Sequence, residues 1–99
     1  MRERIMNDLV CKIERVESYM KDVIENEIEE LTTEKKSITL RDIDKWENRY
    51  ARKLHDIMME VKTLRKYNVI TDEDFEKLRT LRIDVEINID DFIDEQCDK

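Results

Sequence analysis

Apolar residues recur at steps of three and four positions over three long segments of this chain. The first stripe runs from about Arg2 to Leu31 and is interrupted at Glu27. The second covers residues 40–66 and the third covers residues 72–96. Spacing of this kind places the apolar side chains on one side of an α-helix. The pattern therefore predicts three amphipathic helices.

The apolar stripes also identify the expected core. The first helix is expected to turn inward Ile5, Leu9, Ile13, Val16, Met20, Val23, Ile24 and Leu31. The second is expected to turn inward Ile43, Trp46, Tyr50, Leu54, Ile57, Val61 and Leu64. The third is expected to turn inward Phe75, Leu78, Leu81, Val85, Ile89 and Phe92. The spacing in the second set is close to a coiled-coil heptad, which predicts closely packed, nearly aligned helices.

The starts of the second and third helices carry the same local pattern. Thr39 is followed three residues later by Asp42, and Ile38 and Ile43 flank the start. This arrangement predicts a capping box closed by an apolar contact across the first turn. Residues of the same kinds recur at Ile70, Thr71, Asp74 and Phe75. In the break between these two helices, Asn68 is the residue best suited to a left-handed conformation.

These elements predict an all-α fold, an elongated antiparallel three-helix bundle with coiled-coil-like packing. The chain of 99 residues contains no glycine and no proline, so little interrupts the helices. Three long helices joined by short loops stack up-down-up, and residues 1–99 form a single domain at this length. An open hairpin that completes its core by dimerising is the alternative.

Charge and composition narrow the range of partners. The chain has 26 acidic and 19 basic residues, a net charge of -7, which favours basic protein partners over nucleic acid or anionic lipid. Apolar runs never exceed three residues, and none follows the N-terminus as in a signal peptide, so we expect a cytoplasmic protein without a membrane span. Cys11 and Cys97 are too few for a disulfide framework and lack zinc-ligand spacing.

The sequence carries no recognisable catalytic motif. His55 is the only histidine and falls on an outward helix face, so no Cys-His or Ser-His pair has a local setting. Without glycine the chain lacks the loops that cradle phosphates. We therefore predict that the protein is not an enzyme and that it holds no metal or cofactor.

A basic stripe follows the outward side of the second helix. Residues 32–66 hold ten basic and six acidic residues, whereas acids dominate the segments before and after. The stripe consists of Arg41, Lys45, Arg52, His55, Lys62 and Lys66. Such a row is most often a solvated helix face, and it would also suit an acidic protein, a second copy of the chain or nucleic-acid phosphates. Nearby acids and the net negative charge make nucleic acid the least favoured of these interpretations.

The outward side of the third helix shows the opposite character. It carries Glu76, Ile83, Asp84, Ile87, Asp90, Asp91, Asp94 and Asp98. An apolar centre rimmed by charge is typical of a protein-interaction patch. We therefore predict that this side of the third helix binds a protein partner. The alternative is that Ile83 and Ile87 are ordinary surface residues or are covered by another copy of the chain.

The sequence favours a small acidic protein-interaction module that acts inside the cell. It would inhibit or regulate a larger host complex through the third helix, as phage and mobile-element proteins such as anti-CRISPR proteins do, and the partner's surface would be a basic nucleic-acid-binding groove. Two alternatives stay open. One is a nucleic-acid-binding accessory protein that uses the basic stripe, and the other is a homo-oligomer, a bundle that assembles with copies of itself.

Overall fold

The computed structural model describes residues 1–98 and consists of three α-helices joined by two short connections. Helix α1 spans Arg2–Thr33, α2 spans Leu40–Lys66 and α3 spans Asp72–Cys97. Each helix packs against both others, and the molecule measures 52 × 20 × 17 Å. The all-α bundle predicted from the spacing is confirmed, with α1 slightly longer than predicted.

Side chains that bridge α1 and α2 indicate the relative direction of these helices. Lys12 Nζ lies 3.2 Å from Glu60 Oε1, and Lys45 Nζ lies 2.9 Å from Glu27 Oε1. A residue early in α1 therefore meets one late in α2, and a residue late in α1 meets one early in α2. The two helices run in opposite directions.

Bridges between α1 and α3 indicate the direction of the third helix. Arg2 binds Asp74 near the start of both helices, and further along both helices the Asn88 side-chain amide donates to Glu17 Oε1 at 2.9 Å. Helices α1 and α3 therefore run in the same direction. Since α2 opposes α1, the chain passes up, down and up through the bundle.

The core lies along the bundle axis and contains most of the residues that the stripes predict. The buried residues are Leu9, Ile13, Val16, Met20, Ile24, Trp46, Tyr50, Leu54, Met58, Val61, Ile70, Phe75, Leu78, Val85, Ile89 and Ile93. Met58 and Ile93 lie outside the predicted stripes. Each helix is covered by two neighbours, so its buried arc is wider than one stripe. No helix among residues 1–98 carries a stretch apolar enough to cross a bilayer.

Both predicted capping boxes are confirmed. The Asp42 amide donates to Thr39 Oγ1 at 3.3 Å, and the Thr39 amide donates to Asp42 Oδ2 at 3.0 Å. At α3 the corresponding distances between Thr71 and Asp74 are 3.0 and 3.1 Å. These bonds satisfy amides that the helix itself leaves without partners. They explain why α2 and α3 begin where the sequence indicates.

Each connection contains one residue in the left-handed region. Asn68 has a φ of 59°, as its position predicts. Lys35 has the same φ of 59° in the first connection, which the sequence did not single out. Glycine is the usual residue for this conformation, and the chain has none.

The second capping box also holds the N-terminal end of α1. The Asp74 side chain is buried, and its oxygens receive Arg2 Nε at 2.6 Å and a second guanidinium nitrogen at 2.7 Å. The hydrogen bond from Arg2 and the one from the Thr71 backbone hold the pKa of Asp74 well below its ordinary value. This carboxylate therefore ties the starts of α1 and α3 together.

Candidate interaction surfaces

The outward side of α3 is the surface that the sequence predicts to bind a partner. All eight predicted residues are exposed, and we call them together the acidic-apolar face: Glu76, Ile83, Asp84, Ile87, Asp90, Asp91, Asp94 and Asp98. Ile83 and Ile87 keep 40% and 50% of their surface exposed, whereas Leu78 and Val85 on the other side of α3 are buried. The face is therefore built as the helical spacing predicts.

The carboxylates of this face are only partly compensated by cations. Glu76 Oε2 lies 3.5 Å from an Arg79 nitrogen on the same helix. The five aspartates of the face form no ion pair among residues 1–98. Their negative charge is left to solvent or to a partner.

Asp90 has a second role, because it also joins α3 to α2. The buried hydroxyl of Tyr50 donates a hydrogen bond to Asp90 Oδ1. Burial and the neighbouring Asp90 raise the pKa of Tyr50, so the phenol stays protonated and remains a donor. Asp90 is thus held at the edge of the acidic-apolar face by the second helix.

Further carboxylates crowd around Asp90 between α2 and α3. Burial, followed by the charges of Asp90, Asp44 and Asp94, raises the pKa of Glu47 above its ordinary value. We call these four carboxylates the acidic seam. No cation pairs with any of them among residues 1–98. Like charges at short range make this edge of α2 a region of negative potential.

The same part of the chain, residues 1–98, holds no group of three or more histidine, cysteine, aspartate or glutamate side chains placed to bind a metal ion. The thiols of Cys11 and Cys97 are free and exposed. Burial, followed by the charges of Asp94 and Asp98, raises the pKa of Cys97. The Cys97 thiol is therefore less readily ionised than an ordinary cysteine.

The opposite edge of α2, toward α1, carries a basic groove. This shallow groove is lined by Tyr19, Lys45, Asn48, Arg49, Arg52, Lys53 and Asp56. Four of its residues are cationic and one is acidic. Helix α1 contributes Tyr19, and α2 contributes the remainder.

One end of the basic groove is fixed by Glu27 of α1. Its carboxylate accepts a hydrogen bond from the indole N–H of buried Trp46 and lies 2.9 Å from Lys45 Nζ. Burial raises the pKa of Glu27, but the bonds from Trp46 and Lys45 outweigh burial and lower it overall. The acid that interrupts the apolar stripe of α1 therefore serves to satisfy Trp46 and to hold Lys45.

The remaining cations of the groove form no ion pair among residues 1–98: Arg49, Arg52 and Lys53. The charge of Arg49 nevertheless helps to lower the pKa of Glu27. Lys53 Nζ instead lies 4.5 Å from the centroid of the Tyr19 ring, a cation-π contact that closes one side of the groove.

The structure divides the predicted basic stripe. Lys45 and Arg52 line the groove, whereas the other members are exposed elsewhere on α2: Arg41, His55, Lys62 and Lys66. Sequence reasoning missed Arg49, Lys53 and Tyr19. The two cations continue from Lys45 at four-residue steps, which is a readable signal. Tyr19 carries no such signal, because its place depends on how α1 and α2 align.

Two charged surfaces thus lie on different sides of the bundle, the basic groove between α1 and α2 and the acidic-apolar face on α3. Glu27 and Lys45 compensate each other beside the groove, whereas the acidic seam beside the face contains only carboxylates. Comparisons of the chain with models of protein families, with curated proteins and with solved structures find no significant match in any of the three.

Proposed function

We propose that the protein is an interaction module that binds a basic partner protein through the acidic-apolar face of α3. The observation that carries this proposal is the exposure of Ile83 and Ile87, at 40% and 50%, among aspartates that form no ion pair within residues 1–98. Apolar side chains supply the gain from leaving water, and the charged rim supplies orientation and a faster encounter. An apolar centre with a charged rim is typical of a surface that binds a protein.

Ile83 and Ile87 should contribute little to the stability of the fold. The core side of α3 is already filled by Phe75, Leu78, Val85, Ile89 and Ile93. Burying the exposed half of each isoleucine against a partner would contribute roughly 1 kcal/mol per residue. That contribution is available only when a second surface covers them.

The carboxylates indicate the charge of the partner. Asp90 and Asp94 belong both to the acidic-apolar face and to the acidic seam, where burial and then the like charges raise the pKa of Glu47. A lysine or arginine placed over this region would relieve the repulsion among the carboxylates and would gain charge-assisted hydrogen bonds. A neutral or acidic partner would do neither.

A basic groove that receives nucleic acid is the kind of surface that this face would fit. Carboxylates along one helix side would occupy the places of phosphates, with the isoleucines as apolar anchors. The narrower proposal is therefore inhibition or regulation of a larger nucleic-acid-binding complex, as anti-CRISPR proteins encoded by phages perform it. The two free thiols suit a reducing compartment, so we propose that the partner is met in the cytoplasm.

A charge-matched pair of variants tests the proposal. Ile83→Lys with Ile87→Lys alters the acidic-apolar face, while Leu40→Lys with Met59→Lys alters exposed apolar residues on α2. Both variants add two positive charges. We expect the α3 variant to keep its thermal midpoint but to bind the partner more weakly by about 2 kcal/mol or more, the scale of interface anchors. The α2 variant should bind as the unaltered protein does.

The measurement has two stages. Affinity capture with the immobilised protein first isolates the partner from lysate, and isothermal titration with the purified partner then compares the variants. Equal affinity of the two variants would contradict the proposal. Unfolding of the α3 variant would place the isoleucines in the core, and Asp91→Asn with Asp94→Asn then offers an independent test through slower association. Sedimentation of the protein alone shows whether a second copy is the partner.

A further inference from the structure

The basic groove between α1 and α2 lies outside the proposed partner site and has a regular geometry. Lys45, Arg49 and Lys53 follow one another at four-residue steps on α2. At 1.5 Å per residue their backbone positions lie about 6 Å apart and the row is about 12 Å long. Arg52 lies beside this row, so four cations line the basic groove.

The two arginines of the groove form no ion pair within residues 1–98, although Asp56 follows Arg52 by one helical turn. The charge of Arg49 acts on the nearby Glu27 carboxylate without forming an ion pair with it. A guanidinium group is planar and presents paired N–H donors that match the oxygens of a phosphate. A phosphate could therefore bind both guanidinium groups without breaking an ion pair within residues 1–98.

An aromatic side chain completes the groove on the α1 side. Tyr19 keeps 44% of its surface exposed, and the ammonium group of Lys53 lies 4.5 Å from its ring centroid. Surfaces that bind single strands combine a row of cations for the backbone with aromatic rings for the bases. The base must be unstacked for such a contact, which a duplex prevents.

We infer that the basic groove binds a short stretch of single-stranded nucleic acid. Arg49, Arg52 and Lys53 contact its phosphates, and Tyr19 contacts a base. The acidic surfaces on α3 limit the contact to a few nucleotides, because the rest of the molecule repels the strand. This inference does not depend on the partner site of α3. Together the two sites would place the protein on a complex of protein and nucleic acid.

A natural probe lies at the end of the groove. Trp46 is the only tryptophan, and its indole N–H shares the Glu27 carboxylate with Lys45. A phosphate that draws Lys45 away changes the charge next to the indole ring. Emission from Trp46 therefore reports, without an added label, a strand that extends past Arg49 as far as Lys45.

The experiment measures binding of a fluorescein-labelled oligothymidylate by anisotropy between about 50 and about 200 mM salt. Arg49→Glu with Arg52→Glu alters the groove, and Arg41→Glu with Lys62→Glu makes the same change of charge outside it. We expect the groove variant to bind about tenfold more weakly or worse. Its slope of log affinity against log salt should become shallower by about 1.4, at about 0.7 per lost phosphate contact. The control variant should lose no more than about twofold.

Further variants and competitors show which chemical class of ligand the groove binds. Tyr19→Leu should weaken oligothymidylate binding about fivefold or more by loss of stacking, and should leave competition by inorganic tripolyphosphate unchanged. Ile83→Gln with Ile87→Gln should leave oligonucleotide binding unchanged, which separates this inference from the proposed α3 function. Equal losses in the groove and control variants would overturn the inference. So would equal competition by polyglutamate of matched charge, which would indicate an acidic protein, or tighter binding of duplex DNA.

Discussion

Two glutamates, Glu27 of α1 and Glu47 of α2, lie at opposite edges of α2 and show how differently the same residue type is used. Glu27, which α1 turns toward α2, receives Lys45 and the indole N–H of Trp46. Glu47, on the α3 edge of α2, faces other carboxylates, among them Asp90. The pKa of Glu27 is lowered and the pKa of Glu47 is raised. The first carboxylate stabilises the packing of its helices, and the second opposes it.

This contrast separates a structural edge from one that we propose to be functional. Natural proteins tolerate locally unfavourable arrangements mainly where a partner or substrate later compensates them. The α1 edge satisfies its buried donor within the molecule. At the α3 edge the carboxylates have no cationic partner among residues 1–98 and lie next to two exposed isoleucines, as expected of a surface completed by a basic partner. Four substitutions test this difference between the two edges of α2.

The largest effect is expected at the α1 edge. Glu27→Ala removes the acceptor of the Trp46 indole N–H, and Trp46 is only 1% exposed. A buried donor left without a charged acceptor costs about 2 kcal/mol. Urea unfolding at neutral pH measures the change. Glu30→Ala, an exposed position on the same helix, should stay within about 0.5 kcal/mol. Similar losses of unfolding free energy in both variants would show that Glu27 has no special structural role.

A smaller effect is expected where Tyr50 links the α3 edge to α2. Tyr50→Phe removes the hydrogen bond to Asp90 and should cost about 1 kcal/mol, because Tyr50 is buried but Asp90 regains water. Tyr67→Phe is the matched control, since Tyr67 is exposed in the second connection. Denaturant midpoints of the two variants give the comparison. Equal midpoints for the two variants would show that the hydroxyl of Tyr50 does not hold α3.

The smallest effect, with the opposite sign, is expected for Glu47→Gln. The pKa of Glu47 in the folded protein lies above its ordinary value of 4.5, so its favourable contribution is complete below pH 4.5 and is lost as the pH rises through the raised pKa. At pH 7 the substitution should therefore stabilise the protein, by about 0.5 kcal/mol at most, because solvent screens an exposed carboxylate. Thermal melts at pH 7 should show the gain.

Glu27→Gln is the companion of that measurement. The pKa of Glu27 is lowered from 4.5, so its contribution is present above that pH and is lost as the pH falls through the lowered pKa. Glu27→Gln should therefore destabilise the protein at pH 7 and differ less from the unaltered protein under acid conditions. The two variants should move in opposite directions at neutral pH. A shift in the same direction would show that the edges of α2 do not differ electrostatically.

Several features of the fold could be predicted from the sequence because their causes are local. Thr39 and Asp42 form a capping box within a single turn, and the same pattern at Thr71 and Asp74 determines where α3 begins. Asn68 adopts a left-handed conformation that its own side chain tolerates. The exposure of Ile83 on α3 follows from helical periodicity alone.

Other features were decided by how the helices align with one another. Met58 and Ile93 are buried because each helix has neighbours on two sides, which a single stripe does not express. Tyr19 reaches the basic groove, and Glu27 reaches Trp46, only through the antiparallel alignment of α1 and α2. Periodicity specifies which side of one helix is apolar, but the alignment between helices comes from contacts distant in sequence. The composition of the basic groove and of the acidic seam, each of which combines residues of two helices, was therefore set by the tertiary structure.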